Sequence, residues 1–137
     1  MWRMLLTLAL CAATESARAE LGTPPTQMPG LYALHCSGCH GMDGSGMPPA
    51  IPNLRASLPR LLPDPRGREY LLRVPGVARS DASPEQIAGI LNWIRDDLLT
   101  QRLSTPDFTA AEVARARREP LSDPSTVRHG LLPDETY

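Results

Sequence analysis

The chain has 137 residues, of which 42% are hydrophobic and only 4% aromatic, and it carries a net charge of −1. All 14 of its basic residues are arginine, against 15 carboxylates. This length predicts a single domain. The near-neutral balance argues against nucleic acid or an anionic membrane as the main partner, because both attract an excess of positive charge.

Residues 1–19 have the pattern of a secretory signal peptide. Arg3 gives a positive start, residues 4–13 form an apolar run, and Ala17-Arg18-Ala19 makes a small-x-small cleavage site before Glu20. The apolar run is too short to span a bilayer, so we do not expect an integral membrane protein. We predict export to the periplasm, with a mature chain that starts at Glu20.

The mature chain begins with a polar leader that contains proline, residues 20–27. A short helix is predicted to begin near Pro29 and to run through Leu34 into a pair of cysteines. Once the signal peptide is removed, Cys36 and Cys39 are the only cysteines left.

The most specific motif of the chain is Cys36-Ser37-Gly38-Cys39-His40. C-x-x-C-H is the attachment signature of c-type haem. Its spacing lets two thiols form thioethers with the porphyrin vinyl groups, while the histidine that follows binds the iron as an axial ligand. We predict one covalent haem c, held by Cys36 and Cys39 and ligated by His40.

Three other uses of a C-x-x-C pair fit this sequence less well. A thioredoxin-like redox site needs a βαβ setting, whereas a segment rich in glycine and proline follows Cys39. A structural zinc ion needs a second pair of ligands at suitable spacing, which the sequence lacks. A disulfide across two residues closes too short a loop to stabilise the chain much.

After the motif the sequence is rich in turn-forming residues. Residues 41–49 contain three glycines and two prolines, which predicts a loop. Residues 52–65 are expected to continue as loop or as a brief helix. Residues 67–74 could form two helical turns that carry Tyr70 towards the core, before a Pro-Gly pair ends them.

The clearest helix is predicted from Ser83 to Leu99. Ser83 is a candidate N-cap, Pro84 takes the first helical position, and Gln86 completes a capping box. Apolar residues recur at three- and four-residue spacing, which predicts one buried face. They are Ile87, Ile90, Leu91, Ile94 and Leu98.

A second capping box, Thr109 with Glu112, opens a predicted helix from Ala110 to about Arg118. The last seventeen residues are punctuated by proline and are expected to wrap the surface. Neither a strand pattern nor an internal repeat is present in the sequence, so the predicted fold class is all-α.

Five stretches between residues 28 and 99 form a recognisable set: Gly30-Leu31-Tyr32, Cys36-Ser37-Gly38-Cys39-His40-Gly41, Asp43-Gly44-x-Gly46, Ile51-Pro52-Asn53-Leu54 and Asn92-Trp93. Together they resemble a class I c-type cytochrome. The resemblance implies a small all-α domain wrapped around one covalently bound haem. It also implies that the first and last helices cross at a small residue and an aromatic one, here Gly30 and Trp93.

The resemblance also divides the chain. We expect a signal peptide at 1–19, a flexible leader at 20–27, a cytochrome c domain at 28–102 and a helical or irregular C-terminal extension at 103–137. The extension lies beyond the usual end of such a domain, and the sequence assigns it no role.

The resemblance fails at the sixth iron ligand. Class I cytochromes usually supply a methionine from the loop before the last helix, but here the matching position is about Val74, and no methionine follows Met47. His129 is a candidate sixth ligand, with an ordinary solvent-facing histidine as the alternative. Met42, Met47 and Tyr70 are weaker candidates. The other choices are an open sixth position or a ligand from a partner protein.

The predicted function is single-electron transfer by a periplasmic monohaem cytochrome, between a dehydrogenase or other redox partner and a respiratory acceptor such as a terminal oxidase. The alternatives are a five-coordinate haem protein that binds a diatomic gas or peroxide, and a haem-bearing subunit of a larger redox complex. Peroxide chemistry would need a distal base near the iron, for which the sequence offers only His129, Arg73 and Arg79, so we expect an electron carrier rather than an enzyme. Any basic docking patch would be made of arginines such as Arg66, Arg68 and Arg73, for which a solvated face is the alternative.

Overall fold

A computed structural model describes residues 24–135, so the predicted signal peptide lies outside the described residues. The described chain is helical, which confirms the predicted all-α fold class. Within it, no helix has the length and apolar character needed to cross a bilayer. The helices are α1 (Met28–His35), α2 (Ser37–His40), α3 (Leu54–Leu61), α4 (Pro65–Arg73), α5 (Pro75–Ala78), α6 (Pro84–Trp93), α7 (Ala110–Ala116) and α8 (Pro124–Leu131).

Helix α6 begins as the sequence predicts. The Ser83 hydroxyl accepts a hydrogen bond from the Gln86 amide (3.2 Å), and the Gln86 side chain accepts one from the Ser83 amide (2.9 Å). Both halves of the capping box are therefore present. After Trp93 the helix widens into a π-helical stretch, Ile94–Leu98, and the predicted apolar face is mostly buried.

Helices α1 and α6 cross at a different glycine from the one we expected. Gly30 is exposed, and no atom of another element lies within 4 Å of the position that a Cβ would take there. The close approach is at Gly89, where a Cβ would come within 2.7 Å of the Met28 sulfur. The expected role of Trp93 is confirmed, since its ring centroid lies 5.4 Å from that of Tyr32. Gly30 was the wrong choice because it faces solvent while Met28 and Tyr32 face α6.

The middle of the chain contains more helix than the turn-rich sequence suggested. Asn53 caps α3, its side chain accepting a hydrogen bond from the Ala56 amide (3.1 Å). Asp64 caps α4 in the same way, accepting from the Arg66 amide (2.9 Å). Tyr70 is buried, as predicted.

The C-terminal extension shares the hydrophobic core with the rest of the domain. Phe108 and Val113 are 3% and 0% exposed, and α7 packs against α6. The last residues do more than wrap the surface as we had expected, because they form α8 and bury Arg128 and Leu132. The extension therefore closes the core.

Polar contacts of Phe108 and Arg68 reinforce this packing. The Asn92 amide donates to the Phe108 carbonyl (3.0 Å), and the Asn92 side-chain oxygen accepts from the Phe108 amide (2.8 Å). The Arg68 guanidinium lies 3.8 Å above the Phe108 ring and is paired with Glu112 at 2.7 Å. Helix α4 is thereby tied to the start of α7.

Candidate functional site

The two cysteines and the histidine of the motif lie on one side of a helical turn. The Cys36 amide donates to the Tyr32 carbonyl (2.8 Å), and the His40 amide donates to the Cys36 carbonyl (3.0 Å). Helix α1 thus passes into α2 with one break, at Cys36. Because residues i, i+3 and i+4 share a helix face, Cys36, Cys39 and His40 are brought together.

Both thiols are unbonded, and their environments differ. Cys36 is half-buried and Cys39 is exposed. Burial, with a smaller contribution from the neighbouring Cys39, raises the pKa of Cys36 to about 11. Cys36 is therefore a neutral thiol at neutral pH. A reactive C-x-x-C redox pair needs a lowered thiol pKa, which this site does not provide for Cys36.

His40 is oriented by a backbone carbonyl. Its Nδ1 lies 3.1 Å from the Pro52 oxygen. A carbonyl can only accept, so Nδ1 carries the proton and Nε2 carries the lone pair. Burial lowers the pKa of His40, the Pro52 hydrogen bond opposes that shift, and the charge of Arg128 adds to it. The ring is thus neutral at neutral pH, which is the form that binds a metal ion.

A tight turn carries Pro52 back to His40. The Gly46 amide donates to the His40 carbonyl (2.8 Å), and Met47 and Ile51 exchange two backbone hydrogen bonds (2.9 and 3.0 Å). Gly46 has φ +65°, and a Cβ there would come within 2.6 Å of the Ile51 oxygen. Only glycine fits this position.

Tyr32 connects the motif to the helix crossing. It is fully buried, and its hydroxyl donates to the Gly41 carbonyl (2.7 Å). Burial is the main reason that the pKa of Tyr32 rises to about 12, so the hydroxyl stays protonated and keeps this bond. The same ring packs against Trp93. The turn that follows His40 is thereby anchored to α1 and α6.

The candidates for a sixth ligand occupy separate places in the structure. His129 is exposed on α8. Met42 and Met47 are each 62% exposed beside the motif, and Met47 is held there by its pairing with Ile51. Tyr70 is buried on α4. None of them has a contact with His40 among the described interactions, so His129 stays a prediction.

The structure adds Arg128, which the sequence did not single out. Arg128 is 6% exposed, donates to the Ser57 hydroxyl (2.6 Å) and pairs with Glu135 at 2.6 Å. The Ser57 hydroxyl also lies 2.7 Å from the Asn53 carbonyl, one residue after Pro52. Arg128 acts on His40 through its charge. Because 71 residues separate it from Ser57, no local pattern could have predicted this contact.

The three arginines named as a potential docking patch are all paired. Arg66 bonds Asp64 at 2.8 Å, and Arg68 bonds Glu112 at 2.7 Å. Arg73 bonds Glu69 at 3.0 Å. Since each positive charge has a carboxylate beside it, this face has little net charge with which to steer an acidic partner.

The chain is 34% identical to a cytochrome c-552 of Thermus thermophilus over 113 aligned positions, which cover 67% of this chain and 85% of that relative. It therefore belongs to the c-type cytochromes, whose role is to carry electrons on haem. A second cytochrome c-552, from a named strain of the same organism, is also 34% identical over 113 positions, covering 67% of this chain and 75% of the relative. No protein-family model and no solved structure matches the sequence.

Proposed function

We propose that the chain is an exported monohaem cytochrome of the class I type. It transfers single electrons between a periplasmic dehydrogenase, or another redox partner, and a respiratory acceptor such as a terminal oxidase. Cys36 and Cys39 hold one haem c through thioethers, and His40 is its axial ligand. When bound, the haem supplies a one-electron couple whose potential follows from its axial ligands and its burial.

The observation that carries this proposal is the hydrogen bond between His40 Nδ1 and the Pro52 carbonyl. A ligating histidine commonly donates its other ring proton to such a partner, which fixes both the tautomer and the ring orientation. The neutral ring leaves Nε2 able to coordinate iron, and the thiols of Cys36 and Cys39 are both unbonded on the same helix face. These donors fit a covalently attached haem.

The sequence pattern supports the assigned segments and location. Residues 1–19 act as an export signal that is removed, and residues 20–27 form a leader. The cytochrome domain occupies residues 28–102, and residues 103–137 are an extension. Export would place the thiols on the oxidising side of the membrane.

Three variants test the proposal after co-expression with the haem-attachment machinery. We expect Cys36→Ala with Cys39→Ala to lose haem that resists acid extraction, because no thioether can form. His40→Ala should keep attached haem and lose the wild-type visible spectrum. His35→Ala, one residue before the motif, is the matched control and should behave like the wild type. Covalent haem in the double cysteine variant, or an unchanged spectrum in His40→Ala, would refute the assignment.

A second candidate function is supported by the segment between α4 and α6. Val74, where the resemblance predicts the sixth ligand, caps α5 with a half-buried side chain that cannot bind iron, and its neighbours Val77 and Ala78 are also apolar. An open sixth position would let a diatomic gas bind. The test is the spectrum of the reduced protein with and without carbon monoxide.

The two outcomes of that test are distinct. A low-spin spectrum that ignores carbon monoxide favours electron transfer alone, and His129→Ala then tests whether His129 fills the sixth position. A high-spin spectrum that shifts with the gas favours ligand binding.

A further inference from the structure

The connection between α4 and α6, residues 74–83, has little structure of its own. Its single helical turn, α5, is made of four residues. The carbonyls of Ala78, Ser80 and Ala82 lie at or beyond the end of this turn, where no helix continues to supply amide partners. A segment of this kind needs hydrogen bonds from elsewhere to hold one conformation.

Arg117, from the extension, supplies those bonds. Its Nε donates to the Ala78 carbonyl (3.1 Å), one Nη donates to the Ala82 carbonyl (2.8 Å), and the other donates to the Ser80 carbonyl. Three carbonyls, two residues apart along the chain, thus meet one planar guanidinium. The rigid fork of arginine suits this task, because its donors point in fixed directions.

The extension also holds the residue that precedes the connection. The Leu121 amide donates to the Arg73 carbonyl (2.9 Å), and the Arg73 Nε donates to the Glu119 carbonyl (2.7 Å). Residues 117–121 therefore hold the connection at both ends. Neither set of bonds depends on a side-chain acceptor in the connection itself.

We propose that Arg117 is a positioning residue that fixes the connection between α4 and α6, the segment in which the resemblance to class I cytochromes predicts the sixth iron ligand. This inference rests on the proposed function for its reference to haem. The connection contains no side chain that matches the usual methionine ligand, so no bond to iron from Val74 ties it down. Residues 117–121 of the extension hold the connection through hydrogen bonds instead.

A pair of variants in the full-length protein tests the proposal. Arg117→Gln removes the fork, while Arg118→Gln removes the neighbouring, exposed arginine and is the matched control. Amide hydrogen exchange is measured along the chain, together with the rate at which carbon monoxide binds the reduced protein. We expect roughly tenfold faster exchange at the amides of residues 77–80 in Arg117→Gln, with α1 and α6 unchanged, because a local hold is lost.

Carbon monoxide should also bind several-fold faster to Arg117→Gln, and Arg118→Gln should match the wild type in both measurements. Arg117→Lys keeps the charge but offers only one donor atom, so it should exchange like Arg117→Gln; it also replaces that variant if Arg117→Gln fails to fold. The proposal would be overturned if the exchange rate at residues 77–80 did not change in Arg117→Gln. It would also be overturned if the exchange rate rose equally in every helix. Failure to attach haem would refute the proposed function alone, because hydrogen exchange still reports on the connection.

Discussion

The motif region, residues 36–54, and the extension, residues 103–135, are held in place by different kinds of bonds. In the motif region, backbone amides and carbonyls bond one another across ten residues or fewer, as between Gly46 and His40 or Leu54 and Gly44. The extension is instead joined to the rest of the domain by arginine side chains that bond backbone carbonyls 35 to 39 residues away. Arg68 of α4 donates to carbonyls of the extension, and Arg117 of the extension donates to carbonyls of the α4–α6 connection.

The difference separates what each region needs in order to form. The motif region depends on glycines and short-range hydrogen bonds, so its conformation is determined mainly by residues that are close together in the sequence. The extension depends on side chains that meet only once the domain has folded. Its conformation is therefore stable only when the rest of the domain is folded. Removing a core side chain of the extension should thus lower global stability, while perturbing the motif should reduce haem attachment.

Removing the Phe108 ring should produce the largest loss of stability. Phe108→Ala would leave a cavity under Arg68, and such truncations lower the free energy of unfolding by about 3–5 kcal/mol. Denaturant unfolding of the haem-loaded protein measures this loss. Leu34→Ala, at a position that is 74% exposed, is the control and should change little. A small loss from Phe108→Ala would mean that the extension is a separate unit.

Adding a methyl group at Gly46 should damage the motif region. Gly46→Ala strains a backbone with φ +65° and drives the methyl against the Ile51 carbonyl, which costs about 1–3 kcal/mol. Since this turn carries Pro52 to His40, haem attachment should fall with stability. Gly30→Ala is the same change at an exposed helical site and should be neutral or slightly stabilising. Equal effects of the two substitutions on the yield of attached haem would contradict the comparison.

Breaking the pair between Arg68 and Glu112 should have the smallest effect, and it should depend on pH. The hydrogen bonds and charge of Arg68 hold the pKa of Glu112 below its ordinary value of 4.5. The ionised form is thus favoured by folding, and its contribution is full above pH 4.5 and is lost as pH falls through the lowered pKa.

The corresponding variant is Glu112→Gln. At pH 7 it should lower the free energy of unfolding by about 1 kcal/mol, since both side chains are only partly exposed. The difference from the wild type should shrink when denaturant unfolding is repeated below pH 4.5. A difference that stays constant over that range would show that packing, rather than the ion pair, is responsible.

Local patterns predicted the helices well. The boxes at Ser83 and Thr109 and the three- and four-residue spacing located α6 and α7, because capping and amphipathic faces depend on residues within one or two turns. In the second box the Thr109 hydroxyl accepts a hydrogen bond from the Glu112 amide (3.2 Å). The Glu112 carboxylate is occupied by Arg68, a partner 44 residues away that no local pattern reveals.

Contacts between distant segments were not predictable in the same way. To choose Gly89 rather than Gly30 at the helix crossing, one must know the rotation of α1 about its axis, which depends on how Met28 packs. Helix α8 was missed, although Asp123 followed by Pro124 is a start signal that could have revealed it. For the candidate site, the sequence predicts that Cys36, Cys39 and His40 hold the haem, and this stays a prediction. The charge of Arg128 near His40 could be found only from the fold.

The position of the extension in the sequence also sets the order in which this protein can be completed. The motif is synthesised early, and Leu132, one of the buried residues that close the core, follows roughly ninety residues later. At ordinary rates of chain elongation that delay is on the order of ten seconds. Through that interval the core lacks part of its apolar surface, so the domain can reach its full stability only well after the motif has been made.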